Sequence, residues 1–409
     1  MISAVLTSDN HLGANYARYR PDRLEQRREI LCASLRHVVD GAITRKVDLF
    51  LHAGDLFDRP DPRNKERLFV AEQLQRLKEA NIPVFAIAGN HDSPKSIGYG
   101  GGITPQAEIK TLGGLHLFQK TDALESYDIE IRNQKVRIWG KSSDFNCPTN
   151  LCPLADMTLP QRDPQYVQIV LLHYGVQGWL PQIEEELREP VLSLDNLERI
   201  GAEVIGVGHL HRRNTKTLRS GALLINPGST EHINFGEESL KCGYEVITIG
   251  DRVHTEQAPL LSQPMKTLPF HVTSEMFRAL GEDAPTQATR FAQLCLKQII
   301  GQATSDTLLR VQLIGAIPRE VYHAFPWDEF FRLIGNQCFY AQIETERLSV
   351  FDRDVDTLLG YGVNFDVRDE LQQVVLAFFN ASHDENERLL LLKVEQEILN
   401  AYDSLVGGN

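Results

Sequence analysis

The chain has 409 residues, 42% of them apolar, and a formal net charge of −13. That length suffices for two or three domains with ordinary cores, while no apolar run approaches the ~20 residues that span a bilayer. The segment Met1 to Val5 enters a strand without a basic stretch or cleavage site, so a soluble cytoplasmic protein is expected. Six scattered cysteines, Cys32, Cys147, Cys152, Cys242, Cys295 and Cys338, form no C-x-x-C pair. They fit a reducing compartment and argue against a thiolate zinc site or a disulfide framework. The acidity looks wrong for a polyanion partner until it is located. Between Ile343 and Asn409 stand fourteen acidic and five basic side chains, so about −9 belongs to the tail. Cations at a carboxylate-rich site would also invert the local field.

The first strand, Ile2 to Thr7, ends at Asp9-Asn10-His11. Leu24 to Val39 follows with Ile30, Leu31, Leu35 and Val38 on one face of a helix. A second strand, Asp48 to Leu51, runs through His52-Ala53-Gly54 to Asp55, with Asp58 three residues on. A helix over Leu68 to Leu77 stops at Asn81-Ile82-Pro83 before a third strand, Val84 to Ile87, which ends at Gly89-Asn90-His91-Asp92. These make βαβ units and a parallel sheet. Gly98 to Gly102 is glycine-rich but lacks the Lys-Ser/Thr and the strand-to-helix order of a phosphate loop, and reads as a flexible loop. Val167 to Leu172 ends at His173, and Val204 to Val207 ends at Gly208-His209-Leu210-His211. All five strands are short and apolar, as strands covered on both faces are. Each delivers Asp, Asn or His at its carboxyl end, where ligands collect in open α/β sheets. Tyr127 to Ile131, Val136 to Trp139, Leu223 to Asn226 and Tyr244 to Ile249 read as antiparallel strands of a second sheet layer.

Beyond Leu261 the pattern changes. Met265 to Val272, Leu308 to Leu313 and Cys338 to Ile343 read as strands. They are separated by a helix with Phe291, Leu294, Cys295 and Ile299 on a face and another around Val321 to Leu333. This small α+β domain concentrates no His or Asp and is expected to position substrate. In the tail, Leu371, Val374, Val375, Phe378 and Phe379 make one helical face. Ser382-x-x-Glu385 then boxes the start of a second helix with Leu391, Val394, Ile398 and Tyr402. Such a pair either packs on its own domain or docks a partner helix.

Carboxylates, imidazoles and one Asn oxygen suit a divalent ion such as Mn²⁺ or Fe²⁺. Two ions about 3.5–4 Å apart that share a carboxylate, here Asp55, hold phosphate oxygens and lower the pKa of a water. Phosphoester hydrolysis is the expected reaction.

The series Asp9-x-His11, Gly54-Asp55-x-x-Asp58, Gly89-Asn90-His91-Asp92, His173 and Gly208-His209-x-His211 resembles the calcineurin-like metallophosphoesterase signature. With Thr7 to Gly13, His52 to Asp58 and Asn226-Pro227-Gly228-Ser229-Thr230, it resembles the SbcD-type DNA repair nucleases, bacterial relatives of the meiotic-recombination-eleven nuclease, over residues 1 to 255. The resemblance implies an α/β fold with a two-sheet α-β-β-α core over 1–260, a capping, DNA-binding α+β domain over 261–345 and a C-terminal helix-loop-helix over 346–409. It implies two divalent metal ions, Mn²⁺ foremost. Asp9, His11, Asp55 and His211 would hold one, and Asp55, Asn90, His173 and His209 the other. His91 would bind no metal and face the scissile phosphate, with Asp58 orienting it. His52 reads as a packed or supporting residue. The implied activity is 3′–5′ exonuclease on duplex DNA and endonuclease on single strands, with hairpins also as substrates. The implied partners are an SbcC-type ABC ATPase and a second copy of the chain. Arg18, Arg20, Arg59, Arg63 and Lys65 are candidate phosphate contacts or simply a solvated face. A phosphoesterase acting on a small diester or phosphoprotein, and a scaffold with a vestigial site, are the competing readings.

Overall fold

The computed structural model describes residues 1–14, 21–94, 102–111, 113–144, 146–149, 151–179, 189–351 and 394. Arg18, Arg20 and the tail helices expected between Leu371 and Tyr402, Val394 alone excepted, lie outside the described residues, as does all but the last residue of the glycine-rich loop. The chain divides into two compact units, the first formed by Met1–Leu268, Ile299–Val311 and Arg332–Ile343.

In the first unit, β1 (Ile2–Thr7), β2 (Leu49–Ala53), β3 (Val84–Ile87) and β4 (Leu115–Phe118) run parallel. Leu6 pairs with Leu51 and Ala53 with Ile87, so the carboxyl ends finish side by side. Helices α1 (Pro21–Arg45) and α2 (Asn64–Glu79) make the first two crossovers, and α3 (Pro105–Lys110) precedes β4. α1 buries Leu31, Leu35 and Val38, and α2 buries Phe69, Leu74 and Leu77, in one core with Val5, Phe50, Val84 and Ala86. Side chains alternate along a strand. The neighbours Ala4, Leu6, Leu49, Leu51, Phe85 and Ile87 therefore face the other way, into a core shared with the second sheet.

That second sheet contains β5 (Glu125–Ile131), β6 (Gln134–Gly140) and β7 (Tyr166–His173). A two-residue pair, β8 (Gly175–Val176) with β9 (Val191–Leu192), stands apart. The sheet is completed by β10 (Val204–Gly208), β11 (Asn214–Thr217) and β12 (Leu223–Asn226), in the order β11-β12-β10-β7-β6-β5. Ile138, Ile169, Leu171, Val204 and Ile225 fill the inter-sheet core. Val170, Leu172, Ile205 and Val207 pack outward against Leu154, Leu159 and Leu197, the last from the short helix Leu194–Glu198. The layers are α-β-β-α.

Two expectations about pairing are corrected. β6 and β12 are parallel to β7 and β10, and the segment Tyr244 to Ile249 belongs to β13 (Gly243–Ile249), which joins the first sheet antiparallel to β1. The edge strand β14 (Val253–Pro259) then pairs with β13. An alternating strand reveals that it has an apolar face but not which neighbour it pairs with. Consequently the five strand ends come from two stacked sheets, β1 to β3 from one and β7 and β10 from the other, where Gly208 pairs with His173.

Strands β15 (Met265–Val272), β16 (Leu308–Pro318) and β17 (Tyr340–Phe351) form a three-stranded sheet in that order. The second unit comprises Pro269–Gln298, Gln312–Phe331 and Glu344–Asn409. Its core includes an edge-to-face chain of Phe277, Phe291, Phe325 and Phe330. The helix Ala284–Ile300 buries Ala288, Phe291, Ala292 and Cys295, while Leu294, expected on that face, is 44% exposed. The helix expected around Val321 to Leu333 is two, Arg319–Ala324 and Trp327–Gly335. Pro326 has no N–H to give and pushes Phe325 into an extended conformation. Among the described residues no helix is long and apolar enough to cross a membrane. All six cysteines are free.

Candidate metal centre

The turns after β1 and β2 keep pairing where the strands end. Asp9 N donates to Gly54 O at 3.0 Å, Asn10 N and His11 N to Asp55 O at 2.9 and 3.1 Å, and Leu12 N to Leu56 O at 3.0 Å. This doubled turn is held in strained backbone. Asp9, His11, Asp55 and His209 all take positive φ, at 52°, 47°, 55° and 95°. Such conformations cost a non-glycine residue about 1–3 kcal/mol each and cluster at functional sites. Gly54 (φ 93°) has no such cost, and a Cβ there would collide with the His173 ring. Gly89 is required for closeness, since its Cβ would occupy the space of the Asp55 carboxylate.

The side chains meet at the common end of the two sheets. His173 Nε2 lies 3.1 Å from Asp55 Oδ2 and 3.0 Å from Asn90 Oδ1. His209 Nδ1 reaches the same Asn90 oxygen at 3.1 Å. On the other side His11 Nε2 stands 3.1 Å from His211 Nε2 and 3.8 Å from Asp55 Oδ2, and His211 Nε2 is 4.0 Å from Asp9 Oδ1. Asp55, 2% exposed, thus sits between the two groups. Its other oxygen accepts the His91 N–H at 2.8 Å. All seven residues expected as ligands are brought together in these two clusters.

The donor set fits divalent cations because the far nitrogen of three rings is engaged as a donor, which leaves the inward-facing nitrogen as the one that takes up a proton or a cation. His11 Nδ1 donates to Asp58 Oδ1 at 3.2 Å and His211 Nδ1 to Glu237 Oε1 at 2.8 Å. His173 Nδ1 donates to the Ala53 carbonyl at 2.6 Å. In the neutral tautomers these bonds dictate, two Nε2 lone pairs oppose each other at 3.1 Å and a third faces two oxygens, an arrangement that only a proton or a cation stabilises. The electrostatics of the site agree. Burial opposes charge on His173, yet the adjacent Asp55 carboxylate outweighs it and raises that ring to about 9. Burial likewise opposes charge on His211, and the hydrogen bond to Glu237 with the charge of Asp9 raises it to about 9. Burial disfavours charge on Asp55 as well, but His173, then His11 and His91, hold its carboxyl far below the usual range.

His91 is more open, with a side chain 44% exposed, and its ring meets His11 edge-to-face at 4.6 Å. Its Nδ1 donates to the main-chain carbonyl of Asp58 at 3.1 Å, while the Asp58 carboxylate is 3.8 Å away and 3.2 Å from His11. The Asp58 carboxylate therefore faces both rings, closer to His11 than to His91, while its own carbonyl takes the His91 hydrogen bond. His52, 3% exposed, is packed as a supporting residue, donating from Nε2 to Asn10 Oδ1 at 2.6 Å and accepting the Gly54 N–H. Burial pushes it down to about 4, so it stays neutral.

Several supports were not legible as such. Asp92, fully buried, accepts N–H bonds from Leu56, Phe57 and Gly89 at 3.1, 2.7 and 3.2 Å and so locks the Asp55 turn to the Asn90 turn. Burial and the Asp55 charge push its carboxyl up to about 7. Glu189 meets His209 Nε2 at 2.6 Å. Asn226 donates to the Leu210 and Arg212 carbonyls at 2.6 and 3.0 Å, which makes the Asn226 to Thr230 motif the brace of the His209-Leu210-His211 turn.

A model of the family described as calcineurin-like phosphoesterase matches residues 2–213, which include every residue of both clusters. The chain belongs to the calcineurin-like phosphoesterase family. It is similar to the "DNA double-strand break repair protein Mre11" of Sulfolobus acidocaldarius, 32% identical over 55% of this chain and 53% of that protein. It is similar too to the protein of the same name from Sulfurisphaera tokodaii, 31% identical over 58% of this chain and 55% of the relative. A third relative is the "uncharacterized metallophosphoesterase YhaO" of Bacillus subtilis, 30% identical over 55% and 51%. The chain spans about half the length of the curated relatives it matches.

The basic residues of this phosphoesterase near the centre fare differently. Arg63 donates to both Glu66 oxygens at 3.1 Å and pairs with Glu25 at 2.8 Å, and Lys65 pairs with Glu25 and, at 3.1 Å, with Glu29. Both are tied into an ion-pair network that joins α1 to α2. Arg59 is half-buried, and no ion pair to it is found among the described residues.

Proposed function

We propose that this chain is a metal-dependent DNA nuclease of the Mre11 and SbcD type, a cytoplasmic subunit that cleaves duplex ends and single strands in double-strand-break repair. The observation that carries the reading is the pair of clusters joined by Asp55, with imidazoles turned inward at Nε2 by the bonds of Nδ1 to Asp58, Glu237 and Ala53. Asp9, His11, Asp55 and His211 would hold one cation and Asp55, Asn90, His173 and His209 the other. Two such ions, Mn²⁺ by the donor set, supply Lewis-acid activation of the phosphodiester and of the attacking water. The chain's own contribution is positional. Asp55 and the turns around it fix the donors in strained backbone, and His91, exposed and held at Nδ1 by the Asp58 carbonyl, presents Nε2 to a bound phosphodiester. From there, in its doubly protonated form, it donates a hydrogen bond or proton from Nε2 to the leaving oxygen and is left as the neutral Nδ1–H ring. Segment 261–345 would hold DNA, residues 346–409 would dock an SbcC-type ATPase, and the chain would act as a homodimer.

The test is cleavage of end-labelled duplex, hairpin and single-stranded DNA with Mn²⁺, alongside bis-p-nitrophenyl phosphate. Cleavage of the small ester without attack on any DNA would contradict the nuclease reading.

Two further outcomes follow from the geometry. Asp58→Asn is expected to weaken Mn²⁺ binding about tenfold through His11 while the His91 carbonyl contact survives, as read by metal titration. Turnover that slows with metal affinity unchanged would return the carboxylate to His91. Second, His173 and His211, with pKa values about 9, are protonated at pH 7 in metal-free protein. Mn²⁺ binding must therefore release protons at pH 7, and affinity should rise up to about pH 9. Calorimetry in buffers of different ionisation enthalpy measures this, and a buffer-independent heat would contradict it.

A further inference from the structure

Glu237 lies beyond the residues matched by the family model, in the 3₁₀ turn Phe235–Glu237, and is 6% exposed. Its Oε2 accepts the Ile233 N–H at 2.8 Å. Its Oε1 accepts from the Asn234 amide and, at 2.8 Å, from His211 Nδ1. The turn that carries it is seated independently of His211. Phe235 packs on Met265, Leu308 and Phe339 with the Arg310 guanidinium 5.0 Å from its ring centroid, and Thr267 donates to Glu238 at 2.8 Å. Upstream, fully buried Arg27 pairs with Glu231 at 3.5 Å and donates to the His232 carbonyl. The carboxylate is thus placed by the fold, and the imidazole takes its orientation from the carboxylate.

We propose that Glu237 is the positioning residue for His211. It fixes that ring as the Nδ1–H tautomer, aims Nε2 at Asp9 and His11, and by its charge makes the ring a stronger donor to a divalent cation. The inference rests on the two-cation reading and concerns one of the two clusters only. On the Asn90 side, His173 is held by the Ala53 carbonyl and His209 meets Glu189.

The experiment is Mn²⁺ titration of the full chain by calorimetry, wild type against Glu237→Gln, with near-ultraviolet circular dichroism to compare packing. Wild type is expected to bind two ions. In Glu237→Gln one site should weaken by about tenfold or more while the other keeps its affinity. Two sites of unchanged affinity in Glu237→Gln, or an equal loss at both, would overturn this inference and leave the two-cation reading standing. A wild-type chain that takes up no Mn²⁺ would overturn both. Should Glu237→Gln fail to fold, ring ¹⁵N spectra of Zn²⁺-loaded wild-type protein carry the test. His211 is expected to be coordinated through Nε2 with Nδ1 protonated, and coordination through Nδ1 would overturn the proposal.

Discussion

Asp55→Asn is expected to abolish tight uptake of both cations and to lower DNA cleavage by at least about 10³-fold, the rate equivalent of losing several kcal/mol of charge stabilisation. Asn is the informative substitution because Asp55 sits at φ 55°, a conformation Asn tolerates and Ala does not without strain. It can also still accept the His91 N–H that Asp55 Oδ1 now takes at 2.8 Å, so the Asn90 turn should stay in place. What is lost is the charge that faces His173 at 3.1 Å on one side and His11 at 3.8 Å on the other. Metal content after gel filtration, together with single-turnover cleavage, measures both effects. Two Mn²⁺ retained per chain would contradict the shared-ligand role.

His91→Ala is expected to leave Mn²⁺ titration unchanged and to reduce DNA cleavage by about 10²–10⁴-fold, the range for loss of a positioned general acid. Metal binding should survive because the imidazole is 44% exposed and bonds the Asp58 carbonyl, touching the centre only through edge-to-face packing on His11, and because its N–H to Asp55 is backbone and persists in Ala. The choice of substrate separates the two roles open to this ring. DNA leaves as an alkoxide that needs a proton, whereas p-nitrophenolate leaves without one. A proton donor therefore matters far more for DNA than for bis-p-nitrophenyl phosphate. Equal losses on both would assign His91 to charge stabilisation instead, and no loss on either would remove it from the reaction.

The strand ends were legible in the sequence because each donor directly follows a short apolar run, and sequence adjacency survives folding. Asp9, Asp55, Asn90, His173 and His209 could thus be placed before any pairing was known. The sheet arrangement was not, since β13 shows the same alternation whether it pairs with β1 or with a strand of the other layer. The supports of the ligands were hidden for a different reason. Glu237 is 26 residues from His211, and Glu189 is 20 from His209, with no periodicity linking them. Such partners are set by turns, whose course depends on distant anchors such as Arg27 with Glu231. For Asp58 the spacing pointed at His91, but it could not show that the carbonyl takes the hydrogen bond while the carboxylate lies 3.8 Å from His91 and 3.2 Å from His11.

The central claim is that two cations share Asp55 at the common end of the two sheets. Anomalous diffraction at the manganese edge from crystals grown with Mn²⁺ addresses it directly. Expected are two peaks about 3.5–4 Å apart, one among Asp9, His11 and His211, the other among Asn90, His173 and His209, both bonded to Asp55. A single peak, or two peaks of which one makes no contact with Asp55, would contradict it.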